Sequence, residues 1–178
     1  MKNTLSVLMV LALVCCASFA QMKDKSKRPS PPATAQCSFP DGKKITVDYS
    51  RPSVKGRKIY GGLVPYDQEW RTGANEATTF VTDTDVMIGD TKVPAGNYTL
   101  FTVPGQDAWT LVISKKTGEW GIPYPGKEFD LARVKMNKTA LPSAVEQFLI
   151  SFDHAGGTCT MHLDWETTRA SVQIKEAK

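Results

Sequence analysis

From Ala35 onward the chain alternates short apolar runs with turn-forming residues. AQCSF and KITVDYS flank Pro40-Asp41-Gly42-Lys43. ATTFVTD and DVMIG follow Asn75, and NYTLFTV and AWTLVIS are joined by Pro104-Gly105-Gln106-Asp107. LARVKM, EQFLISFD, TCTMHLDW and TRASVQI complete the series. These runs are rich in β-branched and aromatic residues, and breakers recur at intervals of roughly ten residues, as in all-β domains. Helical periodicity is missing; Pro142 to Phe148 has room for one helical turn at most. Strands without intervening helices pair antiparallel. The expectation is an all-β fold: a single antiparallel β-sandwich of about nine or ten strands over residues 35–176.

One hairpin can be placed in register. A two-residue Gly156-Gly157 turn sets Phe152 opposite Met161 and Phe148 opposite Trp165. Phe148, Ile150 and Phe152 then share a core face with Cys159, Met161, Leu163 and Trp165. Ser151 and Asp153 share the other face with Thr160, His162 and Asp164. By the same alternation Cys37 points inward with Phe39.

Between Ser50 and Glu76 the alternation fails. RPSVKGRKIYGGLVPYDQEWRTGAN holds four glycines and two prolines. A loop of this length inside a compact domain is uncommon and often functional. Its apolar residues Val54, Ile59, Tyr60, Leu63, Val64, Tyr66 and Trp70 predict a long loop packed against one end of the sandwich.

The N-terminus reads differently. Lys2 precedes an apolar run from Leu5 to Val14, and small residues stand at Ser18 and Ala20. This is the pattern of a secretory signal over residues 1–20, and the run is too short to span a bilayer about 30 Å thick. Export to the periplasm or the medium is expected, with Gln21 as the new N-terminus. The rival is a lipid anchor on Cys15 or Cys16, disfavoured because Val14 or Cys15 stands where a small residue is required. Residues 21–34, QMKDKSKRPSPPAT, are polar and proline-rich and predict a disordered tether. No later stretch is apolar enough for a transmembrane segment.

Charge narrows the partners. The formal net charge is +4, but five of the 22 basic residues and one of the 18 acidic ones precede residue 30, leaving seventeen of each. A neutral domain lacks the basic surplus of a nucleic-acid binder. Two of the four cysteines fall in the leader, so Cys37 and Cys159 remain. In an oxidising compartment they form either a disulfide or a pair of buried free thiols.

Five stretches occur in one order: YSRPSVKGRKIYGGLVPY, WRTGANEATTF, VPAGNYTLFTVPG, EWGIPYPG and LDWETTRASVQI. Together they resemble the exported bacterial domain-of-unknown-function family numbered 2911, over roughly residues 33–175. The resemblance implies a β-rich exported bacterial domain, with no activity, substrate or cofactor attached. It also implies that the Asn-x-Thr triplets at Asn97 and Asn137 carry no glycan.

The candidate chemistry gathers on the long loop. Tyr49, Arg51, Trp70, Arg71, Asn75 and Glu76 could bind a ligand: arginine forks take carboxylate or phosphate, Trp70 could stack on a ring, and Asn75 and Glu76 could read hydroxyls. The same residues could instead form a structural bracket. In that reading Arg51 or Arg71 pairs with Glu76 or Asp48, Gly73 adopts a left-handed turn, Asn75 makes a side-chain turn and Trp70 plugs the core. Trp120, Tyr124 and Pro125 either complete a cleft with Trp70 or cover the open end of the core.

Asp48, Glu69 and Glu76 are the available acid–base carboxylates; a hydrolytic pair would need a defined separation of roughly 5–10 Å. No catalytic residue is assigned. His162, Asp164 and Glu166 alternate as on an exposed polar strand face, and His154 reads as a turn residue. The sequence has no G-x-S-x-G, phosphate loop, H-E-x-x-H or C-x-x-C, so neither a metal nor a cofactor is expected. The expected function is a non-catalytic binding or interaction domain of the envelope, with a small molecule or an envelope protein as partner. A small hydrolase or transferase using the loop carboxylates, or a purely structural scaffold, are the alternatives.

Overall fold

A computed structural model describes residues 24–177. The expected signal segment and the cysteines of the rival lipid anchor lie outside the described residues. Among the described residues, no helix is long and apolar enough to cross a membrane.

The chain is nearly all β. Its strands are β1 (Pro32–Ser38), β2 (Lys44–Ser50), β3 (Thr78–Thr82), β4 (Val86–Ile88), β5 (Thr91–Val93), β6 (Gly96–Pro104), β7 (Trp109–Ser114), β8 (Asp130–Ala155) and β9 (Thr158–Glu176). They form one antiparallel nine-stranded sheet, ordered β1-β2-β3-β6-β7-β8-β9-β4-β5 and not closed into a barrel.

That order forces the sheet to fold over. Four strands separate β3 from β4 in the sheet, yet only residues 83–85 join them in the chain. Three residues reach no further than about 15 Å from strand end to strand end, so the far side of the sheet must curl back to β3. The layers of the sandwich are thus parts of a single sheet. Strand β8 makes the turn: its first residues pair with β7 up to Met136, and from Asn137 it pairs with β9. Between the layers lie Ile45, Val47, Phe80, Leu100, Leu111, Ile113, Met136, Phe148, Met161, Leu163 and Trp165, all essentially solvent-free. Cys37 on β1 and Cys159 on β9 are joined as a disulfide across this core, their Cα atoms 6.1 Å apart.

Several expectations change. Ten sequence runs become nine strands, because LARVKM and EQFLISFD fuse into β8, TCTMHLDW and TRASVQI fuse into β9, and the short β5 adds one. Pro142–Phe148 is strand, not a helical turn. The register is irregular between Ala140 and Leu149, opposite a positive φ of 54° at Glu166. Such bulges absorb extra residues and bend a strand, which lets β8 pass from one layer to the other. Phe152 faces Met161 as expected, but the bulge removes Phe148 and Trp165 from direct pairing. Their rings still meet, with centroids 5.8 Å apart.

The expected tether is also corrected. Residues 25–27 form a 3-10 turn capped by the Asp24 carboxylate, and Pro32–Thr34 already belong to β1. Ala33, Ala35 and Cys37 point inward while Thr34, Gln36 and Ser38 face solvent, which is ordinary strand alternation.

Candidate functional site

Tyr49, near the end of β2, and Arg51, just beyond it, do their work on a strand edge. Beyond the bulge, β8 has β9 on one side and no strand on the other. In an antiparallel strand the N–H and C=O of one residue point the same way, so alternate residues present both groups to the open side. The Tyr49 hydroxyl meets both groups of Ile150, accepting from its N–H at 2.9 Å and donating to its C=O at 3.3 Å. Two residues earlier, the Phe148 N–H donates to Pro52 O and Arg51 Nε donates to Phe148 O at 3.0 Å. The Val54 N–H donates to Glu146 O. Tyr49, Arg51 and the first loop residues therefore take the place of a missing strand.

The long loop, residues 51–77, is packed as expected. Ile59, Tyr60 and Val64 are buried, although Leu63 is exposed. Its second half extends the ladder of β6: Trp70 and Thr102 exchange both backbone hydrogen bonds at 2.8 Å. The Trp70 ring enters the core, stacked on Trp165 and edge-on to Phe148 and Trp109. Its indole N–H donates to Gly73 O.

The turn that follows is built differently from the expectation. Thr72 and Asn75, with φ of 53° and 59°, take the left-handed conformation, not Gly73. Gly73 serves a close approach instead: a Cβ there would lie 2.9 Å from Ser50 O. Thr72 is fully buried, its hydroxyl beside that of Thr102 at 3.2 Å. Asn75 donates to Ser30 O in the N-terminal segment.

The three charged members of the cluster go separate ways, so the expected pairing of Arg51 or Arg71 with Glu76 is not formed. Arg71 donates to Trp120 O and lies under the Trp120 ring, 5.4 Å from its centroid. Glu76 is clamped by the N-terminal segment. Arg28 Nη1 donates to its two carboxylate oxygens at 2.7 and 3.0 Å, and Lys25 Nζ lies 3.1 Å away. The Arg28 hydrogen bonds, followed by its own backbone N–H, hold the Glu76 carboxyl down to about 2. It is therefore an ionised acceptor whose two oxygens both receive a hydrogen bond from Arg28.

The other candidate carboxylates are also engaged. Asp48 accepts from the Thr34 hydroxyl across β1–β2. Glu69 pairs with Arg133 at 2.8 Å, and Arg133 also binds Asp130. Asp130 accepts from the Tyr124 hydroxyl as well. Burial first, then that bond to Asp130, push the Tyr124 hydroxyl up to about 12. Tyr124 packs edge-on against Phe101, so it belongs to a satellite cluster while Trp120 stays exposed. Trp70, in the main core, does not join Trp120 in an aromatic cleft.

His162 and Asp164 do not lie on an exposed face; both are buried. Asp164 receives two hydrogen bonds from Arg169, at 2.6 and 2.8 Å, and His162 Nε2 lies 3.0 Å from Asp153. Among the described residues, no three of His, Cys, Asp and Glu gather closely enough to hold a metal ion.

A cleft of about 330 Å³ opens where the N-terminal segment, the end of β2 and the loop between β7 and β8 meet. Lys25, Arg28, Asp48, Tyr49, Glu76 and Glu119 line it. Glu119 Oε1 is buried without a hydrogen-bond partner; Lys116 Nζ is 4.0 Å away, too far to donate. Sequence reasoning missed Lys25, Arg28 and Glu119. The alternation of Ala33, Ala35 and Cys37 could have signalled that the leader joins the domain, but nothing local marks Glu76 as its partner.

The sequence matches the family described as "Protein of unknown function (DUF2911)" over residues 30–174. The chain belongs to this family. The matched region starts two residues before β1 and ends within β9, so it takes in the whole sheet apart from the last residues of β9. No curated protein and no solved structure matches the chain.

Proposed function

We propose that this member of the DUF2911 family is an exported, non-catalytic binding domain whose cleft beside Glu76 holds a small polar ligand. The observation that carries the reading is the cleft itself, which brings Lys25, Arg28, Asp48, Glu76 and Glu119 together around one opening. At about 330 Å³ the cleft is at the small end of the ligand-site range, which begins near ~300 Å³. That size suits a monosaccharide, an amino sugar or a short peptide. Lys25, Arg28, Asp48 and Glu76 supply charges of both signs, matched to a ligand that is itself mixed in polarity. Export is supported by the N-terminal sequence pattern, and the Cys37–Cys159 bond suits an oxidising compartment.

Calorimetry and thermal shift against sugars, amino sugars and peptidoglycan fragments test the reading. A ligand that binds the parent and loses at least about tenfold in affinity in Glu119→Gln is expected. Absence of any such ligand, together with a Glu119→Gln variant that is merely more stable, would sink it.

A further inference from the structure

Residues 115–129, between β7 and β8, form a closed loop. The Lys115 N–H donates to Phe129 O at 2.8 Å, so the two ends meet. Such compact loops keep their shape through their own packing. Here the pin is Gly121. It is buried, with φ +78°, and a Cβ on it would stand 2.8 Å from Ala77 Cβ and 3.0 Å from Arg71 Cβ. Only a residue without a side chain presses this deeply. With Gly121 held inward, its neighbours are turned outward: Trp120 is 54 % and Ile122 66 % exposed. Among the described residues they are two of the three large hydrophobic side chains left exposed, the third being Leu63. Pro123 extends the apolar tip.

Arg71 stacks under Trp120 and donates to its carbonyl, while Tyr124 is tied to Asp130 and Arg133. The tip is therefore held out by bonds at its base. Its flanks carry exposed Lys115, Lys116 and Lys127, against one exposed carboxylate, Glu128; Glu119 is half-buried. An exposed indole and a branched aliphatic side chain, on a loop whose two arms carry exposed lysines, match a lipid interface: tryptophan favours the headgroup level, and lysines are attracted to anionic headgroups.

We propose that the 120–123 tip is a membrane-contact wedge, inserting Trp120 and Ile122 into the surface of an anionic phospholipid bilayer while Lys115, Lys116 and Lys127 engage the headgroups. The contact is peripheral and reversible, because two side chains bury little area. It stands on this loop alone and is independent of the ligand reading of the cleft.

The test uses the chain from Gln21 onward, which keeps every described residue and drops the apolar Leu5–Val14 run that would bind lipid by itself. Vesicles of equal parts phosphatidylglycerol and phosphatidylethanolamine are compared with phosphatidylcholine vesicles by flotation and tryptophan fluorescence. Trp109 and Trp165 are buried and Trp70 is packed against the core, so a blue shift reports Trp120. Expected are a blue shift with anionic vesicles only, weakening as salt rises, and at least about tenfold weaker binding in Trp120→Ser/Ile122→Ser. Lys115→Glu/Lys127→Glu should weaken binding with the apolar tip intact. Both variants alter exposed side chains, and unchanged melting temperatures would verify their fold. No binding to anionic vesicles, or binding indifferent to the Trp120/Ile122 pair, overturns the proposal. Capture of a protein partner through the tip without vesicle binding also overturns it.

Discussion

Trp70 and Trp165 stack with ring centroids 5.7 Å apart and planes 18° from parallel. One stands near the end of the long loop, the other on the longest shared edge of the core. Their contact makes the loop part of the hydrophobic interior. Trp70→Ala should therefore destabilise the fold by about 2–3 kcal/mol, less than the ~3–5 of a fully buried aromatic because Trp70 is only partly buried. At about 2–4 °C per kcal/mol, thermal unfolding should show a drop of roughly 4–12 °C. A smaller change would mean that the loop is dispensable packing.

Two buried tyrosines should respond to the same substitution with opposite sign. Tyr49→Phe strips the Ile150 N–H and C=O of their partner and should cost about 1–3 kcal/mol. The Tyr60 hydroxyl is buried with no partner, and burial pushes its pKa upward. Tyr60→Phe removes that unmet group and should be neutral or stabilising by up to about 1 kcal/mol. Chemical denaturation of both variants reads the difference; equal losses would contradict the hydrogen-bond assignments.

Acid should release the N-terminal segment. Glu76 is lowered from 4.5 to about 2. A depressed folded-state value gives stability that is complete above the unfolded pKa, near 4.5, and is lost as pH falls through about 2. The side chain is 42 % exposed, so the clamp is worth only about 0.5–1 kcal/mol after screening. The stability gap between the parent and Glu76→Gln should be constant at neutral pH, shrink below pH 4.5 and narrow with salt. A gap that persists at the acid end would show that Glu76 acts through packing.

The Cys37–Cys159 bond closes a sequence separation of 122 residues. In the chain-entropy account such a closure contributes up to about 4–5 kcal/mol. The double Cys→Ser variant should melt lower by up to about 8–20 °C. Because both cysteines are buried, reductant should act on the native protein only as fast as it opens. Equal stability of the two forms would show that the bond does not restrain the folded chain.

Alternation made most of the sheet legible. The expected KITVDYS run coincides with β2, and the Gly156-Gly157 turn with Phe152 opposite Met161 is as expected. Both rest on a period-2 pattern with one buried side, where a slip would reverse every residue. Where that signal is weak, the reading fails. Thr91–Val93 is too short to announce itself, and the bulged stretch of β8 around Pro142 is largely exposed. At the candidate site the residue types were informative but their partners were not. Arg28 reaches Glu76 across 48 positions, and Tyr49 reaches Ile150 across 101. Such pairs are created by the order of the strands and, for Tyr49 and Ile150, by the curl of the sheet, which no local pattern encodes. His162 and Asp164 illustrate the same limit: alternation gave their face but not its cover.

Strand β8 leaves the protein without a seam. Since one uninterrupted length of backbone serves both walls, neither wall can melt while the other survives. A calorimetric scan should show one heat-absorption peak for the whole molecule, and the two fragments produced by cutting at Gly156-Gly157 and reducing the Cys37–Cys159 bond should regain structure only when mixed.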